Sequence, residues 1–278
     1  MCQTIGFDSP RLLTFTSHFL LLGKLGFAAA AHAAYGPRFV SSSNPFSIGF
    51  RAAKANLVTG LIIQALMIAA VLVYYFVPAA RSLFLVLATA KSHWGYAFSF
   101  SSAVIAGGVL PVMLKVVLVQ RGRFARANLS EMLFLAMFWG SEGLVVDSFY
   151  RLQAIMFGAQ IDFFTVVKKV LVDQLIFNTC FAIPYTLACY ELRNQHYRLR
   201  RIAHVFTANF YRNHTIPTLC ATWCVWVPVT CAVYSLPPLL QIPLFALALT
   251  FWVLMVAYIT ARQSKTDHPP APLAEAIP

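Results

Sequence analysis

Acidic residues are scarce in this chain. There are 9 Asp and Glu among 278 residues, and charged side chains make up 11% in all, where a soluble domain carries roughly 25%. That shortage excludes a water-soluble globule. With 59% hydrophobic side chains and a mean hydropathy of +0.70, the main solvent is lipid. Strict alternation of apolar and polar residues is missing too. A lipid-facing barrel strand alternates over about 10 residues, whereas Leu61 to Val73 and Leu244 to Val256 are apolar nearly throughout. The expected fold is therefore all-α, a polytopic helical membrane bundle. Enzyme signatures are also absent: there is no Gly-rich phosphate loop, no His-Glu-x-x-His and no Gly-x-Ser-x-Gly, and His18, His32, His93, His196, His204, His214 and His268 are scattered. No catalytic activity and no cofactor is expected. Five of the six cysteines, Cys180, Cys189, Cys220, Cys224 and Cys231, lie inside apolar stretches, as small buried side chains rather than a disulfide frame. Cys220, Cys224 and Cys231 could share a helical face, but no His or carboxylate stands between them to make a metal site.

What the chain has in excess is positive charge, 21 Lys and Arg for a net +12. These residues cluster between apolar runs, as expected of loops at an anionic lipid surface, so nucleic acid is set aside as a partner. Residues 1–43 hold one acid, Asp8, with Arg11, Lys24 and Arg38 spread through Ser, Thr, Ala and Leu. This is the composition of a mitochondrial targeting segment. Phe19 to Ala34 would also suit a secretory signal, although Lys24 interrupts it. A membrane domain is expected over 44–262 and a disordered, Pro-rich tail over 263–278.

Six apolar segments have nearly the 20 or so residues that span a hydrocarbon core: Asn56 to Val77, Phe98 to Val119, Met132 to Leu152, Phe164 to Tyr190, Ile216 to Leu236 and Leu239 to Thr260. The fifth contains Pro217 and Pro228 and is followed by Pro237 and Pro238, so it crosses only if it packs against protein. Arg81 to Tyr96, interrupted by Lys91, His93 and Trp94, suits an interfacial helix. With six crossings the flanking basic residues divide thirteen to five, which puts both termini on the matrix or cytosolic side.

Four stretches together resemble the Mpv-seventeen and 22-kilodalton peroxisomal membrane protein family. Gly143-Leu-Val-Val-Asp-Ser-Phe-Tyr150 with Arg151 is similar to the family's Gly-Pro-x-x-His-x-Trp-Tyr and its basic follower, with Leu144, Asp147 and Phe149 in place of Pro, His and Trp. Lys168-Lys-Val-Leu-Val-Asp-Gln174 is similar to its basic residue, apolar turn and Asp-Gln pair. Trp226-Val-Pro-Val-Thr running to Pro238 resembles its Trp-Pro-x-x-Gln with a later Pro, Thr230 replacing Gln. Gln120-Arg-Gly-Arg123 matches a basic entry to a span. The resemblance covers about Asn44 to Ala261, with Phe98 to Val119 inserted. It implies four family-like spans plus extra apolar helices, about six in total, and a central cavity lined or supported by Asp173, Gln174 and Tyr150.

Carboxylates at membrane depth are costly unless paired, and each is a functional candidate. Asp147 precedes Arg151 by one helical turn and Asp173 follows Lys169 by one turn, so each has an i,i+4 cation. Glu142 has no local cation and is expected to meet Lys169 or Lys168 across the bundle, or to sit protonated. Arg193, Arg198, Arg200 and Arg201, interleaved with Tyr190, His196 and Tyr197, and with Arg212 beyond them, are expected to bind anionic lipid headgroups such as those of cardiolipin. Two functions fit. One is a mitochondrial inner-membrane channel or pore-like protein passing small solutes, as the resemblance implies, through a cavity expected to be lined by Asp173, Gln174, Asp147 and Glu142, with a peroxisomal membrane as the other location. The second is a non-transporting accessory subunit of a larger mitochondrial membrane complex.

Overall fold

Prolines and lipid-facing apolar runs decide where this chain bends. The computed structural model describes residues 44–55 and 57–266. The expected targeting segment 1–43 lies outside the described residues, as does the expected tail beyond 266. In chain order the helices are α1 (Pro45–Ala55), α2 (Leu57–Phe76), α3 (Pro78–Trp94), α4 (Tyr96–Leu118), α5 (Arg126–Phe157), α6 (163–194), a short 3-10 helix (Leu199–Phe206), α7 (Ala208–Tyr234) and α8 (Pro238–Thr266). No strand occurs among the described residues, so the all-α class stands. Helix α8 runs on to Thr266, four residues past the expected boundary at 262.

Among the described residues three helices, α4, α5 and α7, are long and apolar enough to cross a membrane, and α2 with α3 makes a fourth if the arms of this bent pair count as one span. Three of the six expected segments fall in α4, α5 and α7. The first coincides with α2, the fourth lies in α6, and the sixth lies in α8. Large apolar side chains such as Leu61, Ile68, Leu83, Val86, Met137 and Ile155 face outward, as suits a lipid solvent.

Arg81 to Tyr96, expected as an interfacial helix, forms the second arm of a pair bent by 107°. Pro78 at the start of α3 ends the α2 hydrogen-bond ladder. Carbonyls left open there are taken by Arg81, which donates to Tyr74 O at 3.1 Å and to Tyr75 O at 2.7 Å. The next corner, between α3 and α4, turns at Gly95 with φ +53°, a left-handed value that a side chain would disfavour.

Three π-helical stretches interrupt the long helices: Val104–Val109, Asp173–Ala182 and Tyr211–Thr215. Each ends two residues before a proline, Pro111, Pro184 or Pro217. A proline has no N–H, and its ring crowds the carbonyl four residues back, so widening the ladder to i→i+5 relieves both problems. The orphaned carbonyls are met from neighbouring helices, as lipid requires. Thr179 O, five residues before Pro184, accepts from Tyr211 Oη at 3.1 Å. Cys224 O, four before Pro228, accepts from Gln64 Nε2 at 2.9 Å.

The proline-rich helix α7 is also the central one. Its most apolar window is 61% buried against 39% for α4 and 28% for α5, and α1, α2, α6 and α8 pack around it. A broken helix is therefore tolerated where protein surrounds it. Ile63, Met67, Val229, Val233 and Leu244 form the main core with it. An aromatic ladder joins α5 to α6: Phe149, Phe177, Phe181, Tyr185 and Phe138 stack in sequence with ring centroids 4.1 to 5.9 Å apart. At the start of α6 the exposed Asp162 accepts from Thr165 N–H at 3.1 Å. Hydrogen bonding to Thr165 holds its carboxyl below the usual range.

Helices α4 and α5 cross on small residues. A Cβ placed on Gly143 would lie 2.5 Å from Ser99 O and 2.7 Å from Ala103 Cβ, and the first of these is backbone that cannot turn aside. Gly143→Ala is expected to force the two helices apart and cost about 1–3 kcal/mol, read as a lower thermal midpoint of the purified protein. An unchanged midpoint would mean that the crossing is looser than the backbone distances indicate.

Candidate functional site

Asp173 opens the π-helical part of α6, and that local change of pitch turns it and Gln174 together into the bundle, where they are 5% and 3% exposed. Its Oδ2 accepts from Tyr234 Oη on α7 at 2.6 Å, and its Oδ1 from Gln174 Nε2 at 2.9 Å. Tyr234 Oη in turn accepts from Gln153 Nε2 on α5 at 2.8 Å. Gln174 accepts on Oε1 from Asn178 at 2.9 Å, while its backbone carbonyl takes Trp223 Nε1 at 3.1 Å and Thr179 Oγ1 at 3.1 Å. One network thus ties α5, α6 and α7 together.

The expected cation partner of Asp173 is not used. Lys169 is buried one turn earlier, but its ammonium makes no ion pair with Asp173 and feels the charge of Asp162 instead. The physical reason is that both oxygens of Asp173 are already taken by neutral donors, Tyr234 and Gln174, although its N–H still bonds Lys169 O in the α register. Glu142 likewise meets no lysine. Its carboxyl lies against the hydroxyl of Thr186, and Oε1 has no hydrogen-bond partner although the residue is only 6% exposed.

Glu142, Tyr150, Asp173 and Gln174 line one cavity of about 70 Å³, walled also by Trp139, Phe177, Asn178, Thr222, Trp226 and Thr230. Tyr150 packs edge-on against Tyr234 with ring centroids 5.1 Å apart. Four of the residues singled out in the sequence therefore meet at one place, contributed by α5 and α6 and closed by α7.

Asp147 does not join them. It is buried at the junction of α3, α4 and α5, where Oδ2 accepts from Lys91 Nζ and from Ser99 Oγ at 2.7 Å, and Oδ1 from Arg151 Nε at 3.2 Å. The Asp147–Arg151 pair is as expected, yet the closer cation is Lys91. Lys91 is 3% exposed and spends its remaining hydrogen bonds on Gly95 O at 3.0 Å and Ser99 Oγ at 2.6 Å. Arg151 sits half exposed above the Tyr96 ring, 4.6 Å from its centroid. Sequence reasoning placed Lys91 at an interface and missed Ser99, Gln153 and Asn178. A lone lysine inside the apolar run 83–90 to 96–100 was the available signal, because such a charge needs a buried partner.

Of the basic patch, Arg198, Arg200 and Arg201 are exposed on or beside the 3-10 helix, whose Ile202 and Val205 are buried. Leu199 and Phe206 at its ends are 70% and 78% exposed. Arg193 does not stand free with them: its guanidinium lies over the Phe134 ring, 4.5 Å from the centroid. Arg212 is exposed in the π-helical stretch of α7.

Comparison with protein-family models, with curated proteins and with solved structures returns no match for the chain. The family resemblance is thus a proposal carried by the four stretches of sequence alone. Helices long and apolar enough to span a bilayer, with apolar side chains outward, support a helical membrane protein.

Lys91→Met would leave Asp147 buried with only a half-exposed arginine and one hydroxyl. Removing one partner of a buried pair costs about 3–5 kcal/mol, so a large drop in thermal midpoint is expected. Lys91→Met combined with Asp147→Leu should recover part of it. A double variant no more stable than the single one would show that Asp147 does not depend on Lys91.

Proposed function

We propose that the chain is an integral protein of the mitochondrial inner membrane, channel- or pore-like, which passes small solutes through the bundle by way of the cavity at Glu142, Asp173 and Gln174. The supporting observation is the convergence of these polar groups on one buried cavity. Groups that served only to hold helices together would be saturated by each other, whereas Glu142 keeps an unused acceptor. Val229, Thr230 and Val233 of α7 form one wall of the cavity, and a path through the bundle would require that wall to move. The excess of basic residues on one side argues for termini in the matrix.

Reconstituted into liposomes, the full chain should release small ions and solutes. Asp173→Asn keeps the shape and removes the charge, so cation-over-anion selectivity should fall by roughly threefold or more while the fold persists. A protein that conducts nothing under any condition, or a variant with wild-type selectivity, would overturn the pore reading.

A second reading, a non-transporting accessory subunit held to anionic lipid such as cardiolipin, is favoured by the 3-10 helix. Exposed Arg198, Arg200 and Arg201 beside exposed Leu199 and Phe206 suit a headgroup surface. Each basic residue near such a surface contributes about 1 kcal/mol. Changing Arg193, Arg198, Arg200 and Arg201 together to Gln should therefore at least halve the cardiolipin retained through purification, with Arg193 contributing least because it is held on Phe134. Unchanged lipid content would remove this reading.

A further inference from the structure

Two carboxylates, Glu142 and Asp173, line the cavity, and its lining among the described residues includes no Lys, Arg or His. Five rings, those of Trp139, Tyr150, Phe177, Trp226 and Phe245, make up much of the remaining wall. Ring faces attract cations through their quadrupole, most strongly when water is excluded. Asp173 already accepts from Tyr234 and Gln174. Glu142 Oε1, on a side chain 6% exposed, is left as an acceptor without a donor, and a buried acceptor of that kind calls for one.

Resting on the reading of this cavity as the solute site, we propose that it binds a small ammonium cation, NH₄⁺ or a primary alkylammonium of one or two carbons, which donates an N–H to Glu142 Oε1 among the aromatic rings. Ammonium fits better than a bare alkali ion. An alkali ion cannot donate a hydrogen bond and takes oxygen ligands on several sides, whereas much of this wall is ring carbon. The volume of about 70 Å³ limits the alkyl group, and a quaternary ammonium would bring no N–H for Glu142.

The test is calorimetric titration of the full chain in detergent with methylammonium chloride, sodium chloride or choline chloride at equal ionic strength. Saturable methylammonium binding is expected, at least about tenfold tighter than sodium or choline, and at least about tenfold weaker in Glu142→Gln. If Glu142→Gln does not fold, Trp226→Leu keeps both carboxylates and removes a ring, and it should weaken methylammonium binding several-fold. No binding, equal binding of sodium, or an affinity unchanged by the folded variant overturns the proposal. Because no gradient is involved, a chain that conducts without binding methylammonium sinks this inference alone. A chain that binds methylammonium without conducting sinks only the pore reading.

Discussion

The hydrogen bond from Tyr234 to Asp173 is the contact on which the centre of the bundle depends. It joins the end of α7 to the start of the π-helical part of α6, and through Gln153 it reaches α5. A carboxylate at this depth cannot turn to water, so its position is dictated by where neutral donors can reach it. Tyr234 is 2% exposed and Gln153 fully buried, which leaves neither an alternative partner in solvent. Three helices are thereby held at fixed rotation about their axes, and the walls of the cavity follow from that rotation.

The prolines work under the same constraint from the backbone side. Each removes an N–H that lipid cannot replace. At Pro184 and Pro228 the compensation comes from another helix, Tyr211 in one case and Gln64 in the other. Such bonds are long-range by necessity, since the broken helix has no local donor to offer. Helix breaking and helix packing are thus one event in this fold: α7 can carry Pro217 and Pro228 because it lies at the centre, and its central position supplies the neighbours that repair it.

Much of this was legible in the sequence, and the limits have physical causes. Apolar length alone located α4, α5 and α7, because a span is set by bilayer thickness and needs no tertiary information. The cavity residues Glu142, Tyr150, Asp173 and Gln174 stood out as polar groups in apolar runs. Pairings did not follow as readily. Reasoning from i,i+4 spacing paired Asp147 with Arg151 correctly but overlooked Lys91, which lies 56 residues away in sequence. It paired Asp173 with Lys169, whereas the carboxylate takes Tyr234, 61 residues away in sequence, which local periodicity cannot announce. Hydropathy separated Asn56 to Val77 from Arg81 to Tyr96, but the 107° angle at Pro78 and Arg81 between them depends on backbone geometry that hydropathy does not carry.

The buried carboxylates are treated in two ways, and that difference separates scaffold from site. Asp147 is surrounded by charge: Lys91 and Arg151 on its two oxygens and Ser99 between helices. Its negative charge is cancelled locally, so no solute would gain by approaching it, and its role is to lock α3 onto α5. Asp173 receives only neutral donors, from Tyr234 and Gln174, and Glu142 lies beside the hydroxyl of Thr186 with no cation against it. Neutral donors orient a carboxylate without cancelling its field. Whatever enters the cavity therefore meets acceptors and negative potential with no fixed cation among the lining residues to compete for them. A bundle built only for rigidity would gain by moving a lysine into that space, and Lys169, one turn from Asp173 on the same helix, is buried outside the cavity lining.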